Sequence, residues 1–453
     1  FPGRFKPFQA QIETANFLSM HPRAFCLNSM GLGKTVTSLW AYDYMRDAKM
    51  VNKVLVICPL SIMDSAWRAD LFKFAMHRHV DIAYGPREKR ARIINSDSEF
   101  IIINYDGVEI VADEIANGGF DLIIIDEANA YKNHTTKRFK TMRKLVQPST
   151  WLWMMTGTPA AQSPLDAYGL AKPVNPKGVP SYFSSFKDMV MYKVSNYRWI
   201  PKETATATVF NALQPAIRYT KDECLDLPEM TYVRRNVELT KQQQKYYDLL
   251  KKRMVIQAAG EEITSVNAAV AMSKLLQIAC GAVYSDTGET LEFDIKNRYA
   301  VLKEVIEESN NKVLVFVPFT HTIEVVSKFL TSEGVTNEVI NGAVSATGRS
   351  EIINRFQSQE NPRVLVIQPQ AASHGVTLTA ADTIVFWSPV MSVETYLQCI
   401  ARIDRVGQKN SMTVVHLQGS EAERKIYAML QNKVDMHEGL VELYKQELGL
   451  NDE

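Results

Sequence analysis

The sequence predicts an α/β protein with two lobes, each built around a parallel β-sheet. Short apolar runs alternate with helical patterns in the first third of the chain and again after residue 296. Runs without polar alternation are typical of strands that are buried on both faces of a parallel sheet. The length of 453 residues also exceeds the limit of about 250–300 residues at which a single core stops growing.

The predicted strands of the first lobe are each followed by polar residues. After an initial run, Ala24 to Leu27, the apolar runs cover residues 54–58, 100–103, 122–125 and 151–155. Ligands in open α/β sheets bind outside the carboxyl ends of the strands, so these polar residues mark the expected site.

A helix-rich stretch separates the two predicted sheets in the sequence. We expect a first domain over residues 1–232, with a helical insertion at 164–232, and a second domain over 233–453, with a helical insertion at 240–285. The strands of the second sheet are predicted at 312–317, 364–367 and 383–387, and a terminal helix at 422–450.

Composition restricts the class of protein only loosely. The 51 basic and 50 acidic residues give a net charge of +1, which neither demands nor excludes nucleic acid. The five cysteines form no CxxC pair, which argues against zinc and against a disulfide framework. No apolar run is long enough for a membrane helix, and no signal peptide is visible. We therefore expect a cytoplasmic protein that is not secreted.

A phosphate-binding loop is predicted after the first apolar run, at Met30-Gly31-Leu32-Gly33-Lys34-Thr35. Gly31 and Gly33 allow close approach of the backbone, Lys34 can reach the β- and γ-phosphates, and Thr35 can ligate Mg²⁺. Asn28 replaces the usual first glycine of this pattern. The alternative is a glycine-rich turn with a chance Lys-Thr pair.

A carboxylate pair, Asp126-Glu127, directly follows the run at 122–125. In this position one carboxylate can hold Mg²⁺, partly through water, while the other orients and deprotonates an attacking water. An isolated Asp-Glu pair would usually be a solvated turn.

Two arginines near the other end of the chain, Arg402 and Arg405, are three residues apart and therefore share a helix face. Guanidinium groups suit the charge of a transferring phosphoryl group. The alternative is a basic helix face paired with carboxylates. Together with the phosphate loop, these arginines suggest that one nucleotide is held between two lobes.

These residues resemble the motifs of Swi/Snf-type ATPases of helicase superfamily two. The resemblance covers the chain from Phe5 to about Leu417. Besides the loop at 30–35, the similar segments of the first lobe are Phe5 to Gln9, Pro59 to Ser61 with Trp67, Asp126 to Asn129 with Lys132-Asn133, Thr156 to Pro159 with Gln162, and Leu213 to Pro228. Those of the second lobe are Phe316 to Thr320, Gly342 to Phe356, Gly375 to Leu378 with Trp387 and Pro389, and Gln398 to Gln408.

The resemblance implies two RecA-like lobes with family-type helical insertions between them, and ATP-driven translocation on double-stranded DNA with Mg²⁺. It assigns adenine recognition to Gln9 and further nucleotide contacts to Gly375 and Gln398. It assigns coupling between motifs to Asn129, Thr156 and Thr158, and nucleic-acid backbone contact to the segment at Pro59 to Ser61 with Trp67. Basic and polar residues after the acidic pair are candidates for phosphate contacts along nucleic acid, namely Lys132, Asn133, Lys137, Arg138 and Lys140.

Departures from the family pattern leave other functions open. Asn28-Ser29 stands where the family usually has Asp-Glu, Asn129 replaces a His, and Asp404 lies at a position that is often His. A strand-separating helicase and a non-catalytic nucleic-acid binding module are the alternatives. We expect a monomeric motor of compact bacterial or viral type, with no membrane association.

Overall fold

The computed structural model describes residues 6–160, 163–194, 199–224, 227–258, 265–284, 290–371 and 376–432. The chain divides into two compact units, residues 1–226 and 227–453. The predicted two-lobe α/β fold is confirmed, because each unit contains a parallel sheet with helices in the connections. In the described part of the chain, no helix is long and apolar enough to cross a membrane.

Unit 1 has nine strands in the described residues. They are β1 Arg23–Cys26, β2 Val54–Cys58, β3 Val80–Ile82, β4 Phe100–Asn104, β5 Leu122–Ile125, β6 Trp151–Met155, β7 Met191–Lys193, β8 Trp199–Pro201 and β9 Ala216–Ile217. Its α-helices are α1 Gln9–Met20, α2 Lys34–Asp47, α3 Ala69–Phe74, α4 Arg87–Ile94, α5 Tyr105–Ile110, α6 Ala112–Asn117, α7 Lys137–Leu145, α8 Asp166–Val174, α9 Phe183–Val190, α10 Ala205–Ala212 and α11 Lys221–Cys224. Short 3₁₀ turns cover Leu60–Ile62 and Ala128–Tyr131, and a π-helical turn covers Met63–Arg68.

The main sheet of unit 1 is parallel throughout, in the order β3-β4-β2-β5-β6-β1-β9. Alternate residues of β2 pack on opposite faces: Leu55 and Ile57 join one hydrophobic cluster, while Val54 and Val56 join the other. Both faces are therefore buried, which explains why the strand sequences are apolar without alternation. The phosphate-loop and acidic-box strands, β1 and β5, both flank β6.

Unit 2 contains eight strands in its described residues. They are β10 Met230–Asn236, β11 Ala282–Tyr284, β12 Thr290–Glu292, β13 Lys312–Phe316, β14 Asn337–Ile340, β15 Val364–Ile367, β16 Ala381–Phe386 and β17 Met412–Gln418. Its helices are α12 Lys241–Ala258, α13 Ser265–Cys280, α14 Lys296–Glu308, α15 Thr320–Ser332, α16 Ala346–Ser358, α17 Val393–Ile400 and α18 Glu421–Gln431, with a 3₁₀ turn at Pro369–Ala371. Of the helix predicted at 422–450, the part after residue 432 lies outside the described residues.

The sheet of unit 2 is also parallel, in the order β10-β17-β16-β13-β15-β14. A buried ion pair supports it: Arg298 Nη2 lies 2.8 Å from Glu423 Oε1, and both side chains are almost completely buried. Arg298 also donates to the backbone oxygen of Trp387. Trp387 is fully buried in the core.

His416 in β17 is a buried titratable group. Its Nε2 lies 3.0 Å from the hydroxyl of Tyr396, and its ring stacks on Tyr427 with centroids 4.2 Å apart. Burial, with a smaller contribution from Arg234, lowers the pKa of His416 from its ordinary value of 6.5 to about 4. The neutral imidazole is therefore the form that the folded state prefers.

We predict that His416 makes unit 2 acid-sensitive. Because the folded-state pKa lies below the unfolded one, its contribution is complete above pH 6.5 and is lost as the pH falls toward 4. Protonation should cost up to about 3 kcal/mol of unfolding free energy. Denaturant unfolding of the full chain at several pH values measures this loss. His416→Gln should flatten the pH slope in that window, and an unchanged slope would contradict the assignment.

Candidate nucleotide site

The phosphate loop connects β1 to the first residue of α2. Gly31 and Gly33 have φ values of 87° and 74°, in the left-handed region that favours glycine. A Cβ atom at Gly33 would lie 2.6 Å from Nε2 of Gln11, so a side chain is also excluded by contact. The turn leaves the first amide groups of α2 directed at the loop, which is a suitable arrangement for an anion.

Lys34 folds back over this loop. Its ammonium donates hydrogen bonds to the backbone oxygens of Asn28 at 2.9 Å and of Ser29 at 3.4 Å. The turn after β6 also lies near this ammonium, since a Cβ atom added at Gly157 would be 3.5 Å from Lys34 Nζ. The ammonium is therefore held at the carboxyl edge of the sheet, where the resemblance predicts the phosphates.

Asn28 anchors the loop to two other segments. It is buried, its Nδ2 donates to the hydroxyl of Thr14 at 2.9 Å, and its Oδ1 accepts the backbone N–H of Tyr219 at 2.9 Å. An amide can both donate and accept, whereas an ionised carboxylate only accepts. This departure from the family pattern thus has a structural role in connecting α1, the loop and the segment after β9.

Helix α1 contacts the loop through Gln11 rather than through Gln9. Nε2 of Gln11 donates to the backbone oxygen of Leu32 at 3.3 Å, and Gln11 is buried. Gln9 is exposed and donates to Glu13 at 2.7 Å. Sequence reasoning missed Gln11, Thr14 and Tyr219. The i, i+3 spacing of Gln11 and Thr14 on α1 was the available signal.

Asp126 follows β5 and is fixed through both carboxylate oxygens. Oδ2 accepts the indole N–H of Trp67 at 3.0 Å, and Oδ1 accepts the backbone N–H of Glu127 at 3.0 Å. Burial raises the pKa of Asp126, and the positive charge of Lys34 and the bond from Trp67 act in the opposite direction. The Lys34 ammonium is therefore close enough to affect the carboxylate electrostatically.

Trp67 has a structural role within its motif. The contact of that motif with nucleic-acid backbone stays a prediction for Pro59 to Ser61, while the Trp67 side chain itself is completely buried in the core. It lies in the π-helical turn at Met63–Arg68, and such turns are frequent at functional sites. Its indole therefore supports Asp126 instead of reaching nucleic acid.

Glu127 has an unusual backbone conformation, with φ 48° and ψ 56°. A residue other than glycine in this left-handed region costs about 1–3 kcal/mol and persists only where neighbours hold it. The hydroxyl of Tyr105 lies 2.6 Å from the backbone oxygen of Asp126 and 3.1 Å from that of Glu127. Tyr105 was not predicted from the sequence, since nothing in its local pattern points to a distant carbonyl.

The residues expected to couple motifs lie together in unit 1. Nδ2 of Asn129 donates to the backbone oxygen of Thr158 at 3.1 Å and to its hydroxyl at 3.3 Å. The backbone N–H of Thr158 lies 3.3 Å from the hydroxyl of Thr156. The amide at position 129 thus connects the acidic box to the turn after β6.

The candidate nucleic-acid residues lie on and before α7. That helix buries Phe139, Met142 and Leu145 and leaves a basic face outside. Several of its neighbours are carboxylates: Lys132 pairs with Asp166, Lys137 with Glu109 and Arg138 with Asp106. Lys140 is exposed, and Asn133 accepts from the N–H and hydroxyl of Thr135, which shapes the turn before α7.

The predicted helix face for Arg402 and Arg405 is wrong, because α17 ends at Ile400 and both arginines lie in the turns that follow it. They nevertheless share one acceptor. Nη1 of Arg402 and Nη1 of Arg405 donate to the backbone oxygen of Val376, at 3.0 and 2.9 Å. Arg402 is buried, and its Nε also donates to the backbone oxygen of Gln398. Arg405 is only partly buried, and it also donates to the hydroxyl of Thr377. Gly375, a predicted nucleotide contact, lies outside the described residues.

We predict that Asn28→Ala destabilises unit 1 by about 1–3 kcal/mol, because it leaves the Tyr219 N–H and the Thr14 hydroxyl without this partner. Ser29→Ala is the matched control, since the described contacts of Ser29 use its backbone. Urea unfolding of the full chain would measure both. Equal stability of the two variants would contradict the anchoring role of Asn28.

Comparison with known proteins finds relatives that are longer than this chain. A chromodomain-helicase-DNA-binding protein 1-like from Danio rerio is 24% identical over 96% of this chain and 44% of the relative. An uncharacterized ATP-dependent helicase of Mycoplasma genitalium is 25% identical over 90% of this chain and 39% of the relative. The chain thus spans less than half the length of these curated relatives.

Solved structures of the Sulfolobus solfataricus SWI2/SNF2 ATPase core are also similar. The core in complex with dsDNA is 22% identical with a TM-score of 0.45, covering 98% of this chain and 96% of that chain. The core domain alone is 20% identical with a TM-score of 0.44, covering 96% of this chain and 90% of that chain.

The family itself is identified by two domain matches, the first of which begins in unit 1 and extends into unit 2. The helicase conserved C-terminal domain matches residues 297–407, within unit 2. The SNF2-related domain matches residues 20–282, more than half of the chain. With two parallel sheets in the expected places, the units are the RecA-like lobes of this fold class. The chain belongs to the SNF2-related family.

Proposed function

We propose that this protein is an ATP-hydrolysing motor that translocates on double-stranded DNA. The observation that carries the proposal is the arrangement at the carboxyl edge of the unit 1 sheet. There the Lys34 ammonium donates to the carbonyls of the phosphate loop, and the carboxylate of Asp126 is fixed by the Trp67 indole and the Glu127 N–H. Membership in the SNF2-related family supports ATP as the nucleotide.

ATP would be held mainly by backbone groups and Lys34. The amides around Gly31 and Gly33 and the beginning of α2 offer donors to phosphate oxygens. Lys34 now donates to two loop carbonyls and would exchange them for phosphate oxygens. Gln9, Gly375 and Gln398 remain proposed nucleotide contacts on the strength of the family resemblance.

The donors at this edge fit Mg²⁺. Mg²⁺ is typically bound through one or two carboxylates, waters and substrate phosphates rather than by an all-protein cage. Asp126 offers a carboxylate fixed by Trp67, and Thr35 offers a hydroxyl at the start of α2. In the described residues, His, Cys, Asp and Glu form no group of three or more that would make such a cage. Bound there, Mg²⁺ would neutralise phosphate charge.

The remaining chemistry belongs to Glu127 and the arginines of unit 2. Glu127 would orient the attacking water and accept its proton. Arg402 and Arg405 would stabilise the charge that develops on the transferred phosphoryl group. Both arginines would have to release the Val376 carbonyl first.

Duplex DNA is the proposed track. The basic face of α7 offers phosphate contacts that carry no sequence information, as tracking requires. The Danio rerio relative has DNA binding in its name, and one solved family core is in complex with dsDNA. We propose that the motor acts as a monomer, and the Mycoplasma relative favours a cytoplasmic setting over a nuclear one.

We predict that duplex DNA stimulates ATP hydrolysis by the full chain more than single-stranded DNA or RNA does. The reason is that a motor that translocates on duplex DNA is expected to bring its catalytic groups together only when duplex DNA is bound. Phosphate release measured with each nucleic acid, and with none, tests this. Translocation should then displace a triplex-forming strand while leaving a labelled fork paired. Fork unwinding would instead indicate a strand-separating helicase, and no hydrolysis would indicate a binding module.

The variant Arg405→Ala tests the chemical step. Its matched control is Lys409→Ala, which removes an exposed cation four residues later. Loss of a charge-stabilising arginine should lower the hydrolysis rate by about 10³-fold or more while ATP still binds. Lys409→Ala should behave as the unmodified chain. Normal hydrolysis by Arg405→Ala would remove the proposed role of this arginine.

A further inference from the structure

Tyr105 joins the acidic box to a neighbouring helix. It is the first residue of α5, directly after β4, and its hydroxyl lies within hydrogen-bond distance of the backbone oxygens of Asp126 and Glu127, at 2.6 and 3.1 Å. One hydroxyl hydrogen can be shared between two carbonyls in a three-centre bond. The bond therefore holds the peptide on which Glu127 adopts its left-handed conformation.

The ring of the same residue contacts a side chain of α7. The guanidinium carbon of Arg138 lies 5.1 Å from the centroid of the Tyr105 ring, within the range of a cation–π contact. Arg138 also donates to Asp106 at 2.7 Å, and Asp106 is highly exposed. Arg138 thus lies between the surface and a ring whose hydroxyl contacts the acidic box.

A nucleic-acid phosphate at this surface would compete with Asp106 for Arg138. Surface ion pairs of this kind are weak, so a phosphate can replace the carboxylate. If the guanidinium of Arg138 moved, the rigid Tyr105 ring in contact with it would move as well. Its hydroxyl would then shift the peptide between Asp126 and Glu127. The left-handed region is narrow, so a small shift there reorients the Glu127 side chain.

We propose that Tyr105 is a positioning residue that connects Arg138 on α7 to Glu127, so that nucleic acid bound at α7 sets the orientation of the proposed catalytic carboxylate. This inference rests on the proposed function and adds a route by which the track controls hydrolysis. Tyr105 acts through Glu127 and does not itself contact the reacting atoms.

The first test removes one hydroxyl. Tyr105→Phe keeps the ring under Arg138 but loses the bonds to both carbonyls. The matched control is Tyr131→Phe, because the Tyr131 ring lies edge-on to Tyr105 at 5.7 Å and its hydroxyl has no hydrogen-bond partner in the described residues.

With saturating duplex DNA, Tyr105→Phe should lower kcat about tenfold or more, as loss of a supporting group commonly does. KM for ATP should change less than about twofold, because the phosphate loop is intact. Tyr131→Phe should match the unmodified chain.

The second test uses the exposed face of α7, where substitution leaves the core intact. Arg138→Ala should lower the DNA-stimulated plateau rate, whereas Lys137→Ala, one residue earlier and 83% exposed, should mainly raise the DNA concentration needed for half-stimulation. In a chain that already carries Tyr105→Phe, Arg138→Ala should not lower the DNA-stimulated plateau rate any further, because the effects of substituting two coupled residues do not add.

The outcomes separate this inference from the function on which it rests. Absence of DNA-stimulated hydrolysis in the unmodified chain would overturn both. Stimulated hydrolysis with Tyr105→Phe equal to Tyr131→Phe would overturn only the positioning role. Additive effects of Tyr105→Phe and Arg138→Ala on the plateau would overturn the connection between them.

Discussion

The hydrogen bonds that fix Lys34 over the phosphate loop and Asp126 after β5 are the interactions on which the site depends. A buried carboxylate is costly unless it is paired and hydrogen-bonded. Burial raises the pKa of Asp126, while the Lys34 charge, the Trp67 indole and the Glu127 amide oppose that rise by favouring the ionised form. Parallel strands bring these groups to one edge because their carboxyl ends coincide. Neighbouring segments then fix the partners: Asn28 ties the phosphate loop to α1 and to Tyr219, and Tyr105 holds the strained peptide at Glu127.

Unit 2 uses the same sheet architecture to hold guanidinium groups. Val376 accepts hydrogen bonds from both Arg402 and Arg405, so each cation has a neutral acceptor. The two arginines differ in burial: Arg402, in the turn after α17, is buried and also donates to the backbone oxygen of Gln398 in that helix, while Arg405 is partly accessible. The frame is maintained by the buried pair of Arg298 and Glu423, which also contacts the backbone after β16.

Much of the fold could be predicted because β2, β5 and β15 are continuous apolar runs, and burial on both faces requires that pattern. Strand β17 was missed, since Thr413, His416 and Gln418 interrupt the apolar pattern, although His416 is buried. The phosphate loop and the acidic pair are local motifs with fixed spacing, so the sequence was enough to select them. Trp67, Gln11 and Tyr105 act across long sequence separations, and only the folded chain shows their partners. Asn28 was recognised as a departure, but its double bonding to Thr14 and Tyr219 could not be inferred.

Calorimetric titration of ATP with Mg²⁺ into the full chain, compared between the unmodified protein and Lys34→Ala, shows whether triphosphate binds at the phosphate loop. If phosphates bind at the loop beside Asp126, removal of the ammonium should weaken ATP binding about tenfold to a hundredfold, the usual range for a hydrogen bond to a charged group. Lys89→Ala, which removes an exposed cation from α4, should leave the affinity unchanged. Equal ATP affinity in the unmodified chain and Lys34→Ala would contradict a triphosphate site at this edge of the sheet.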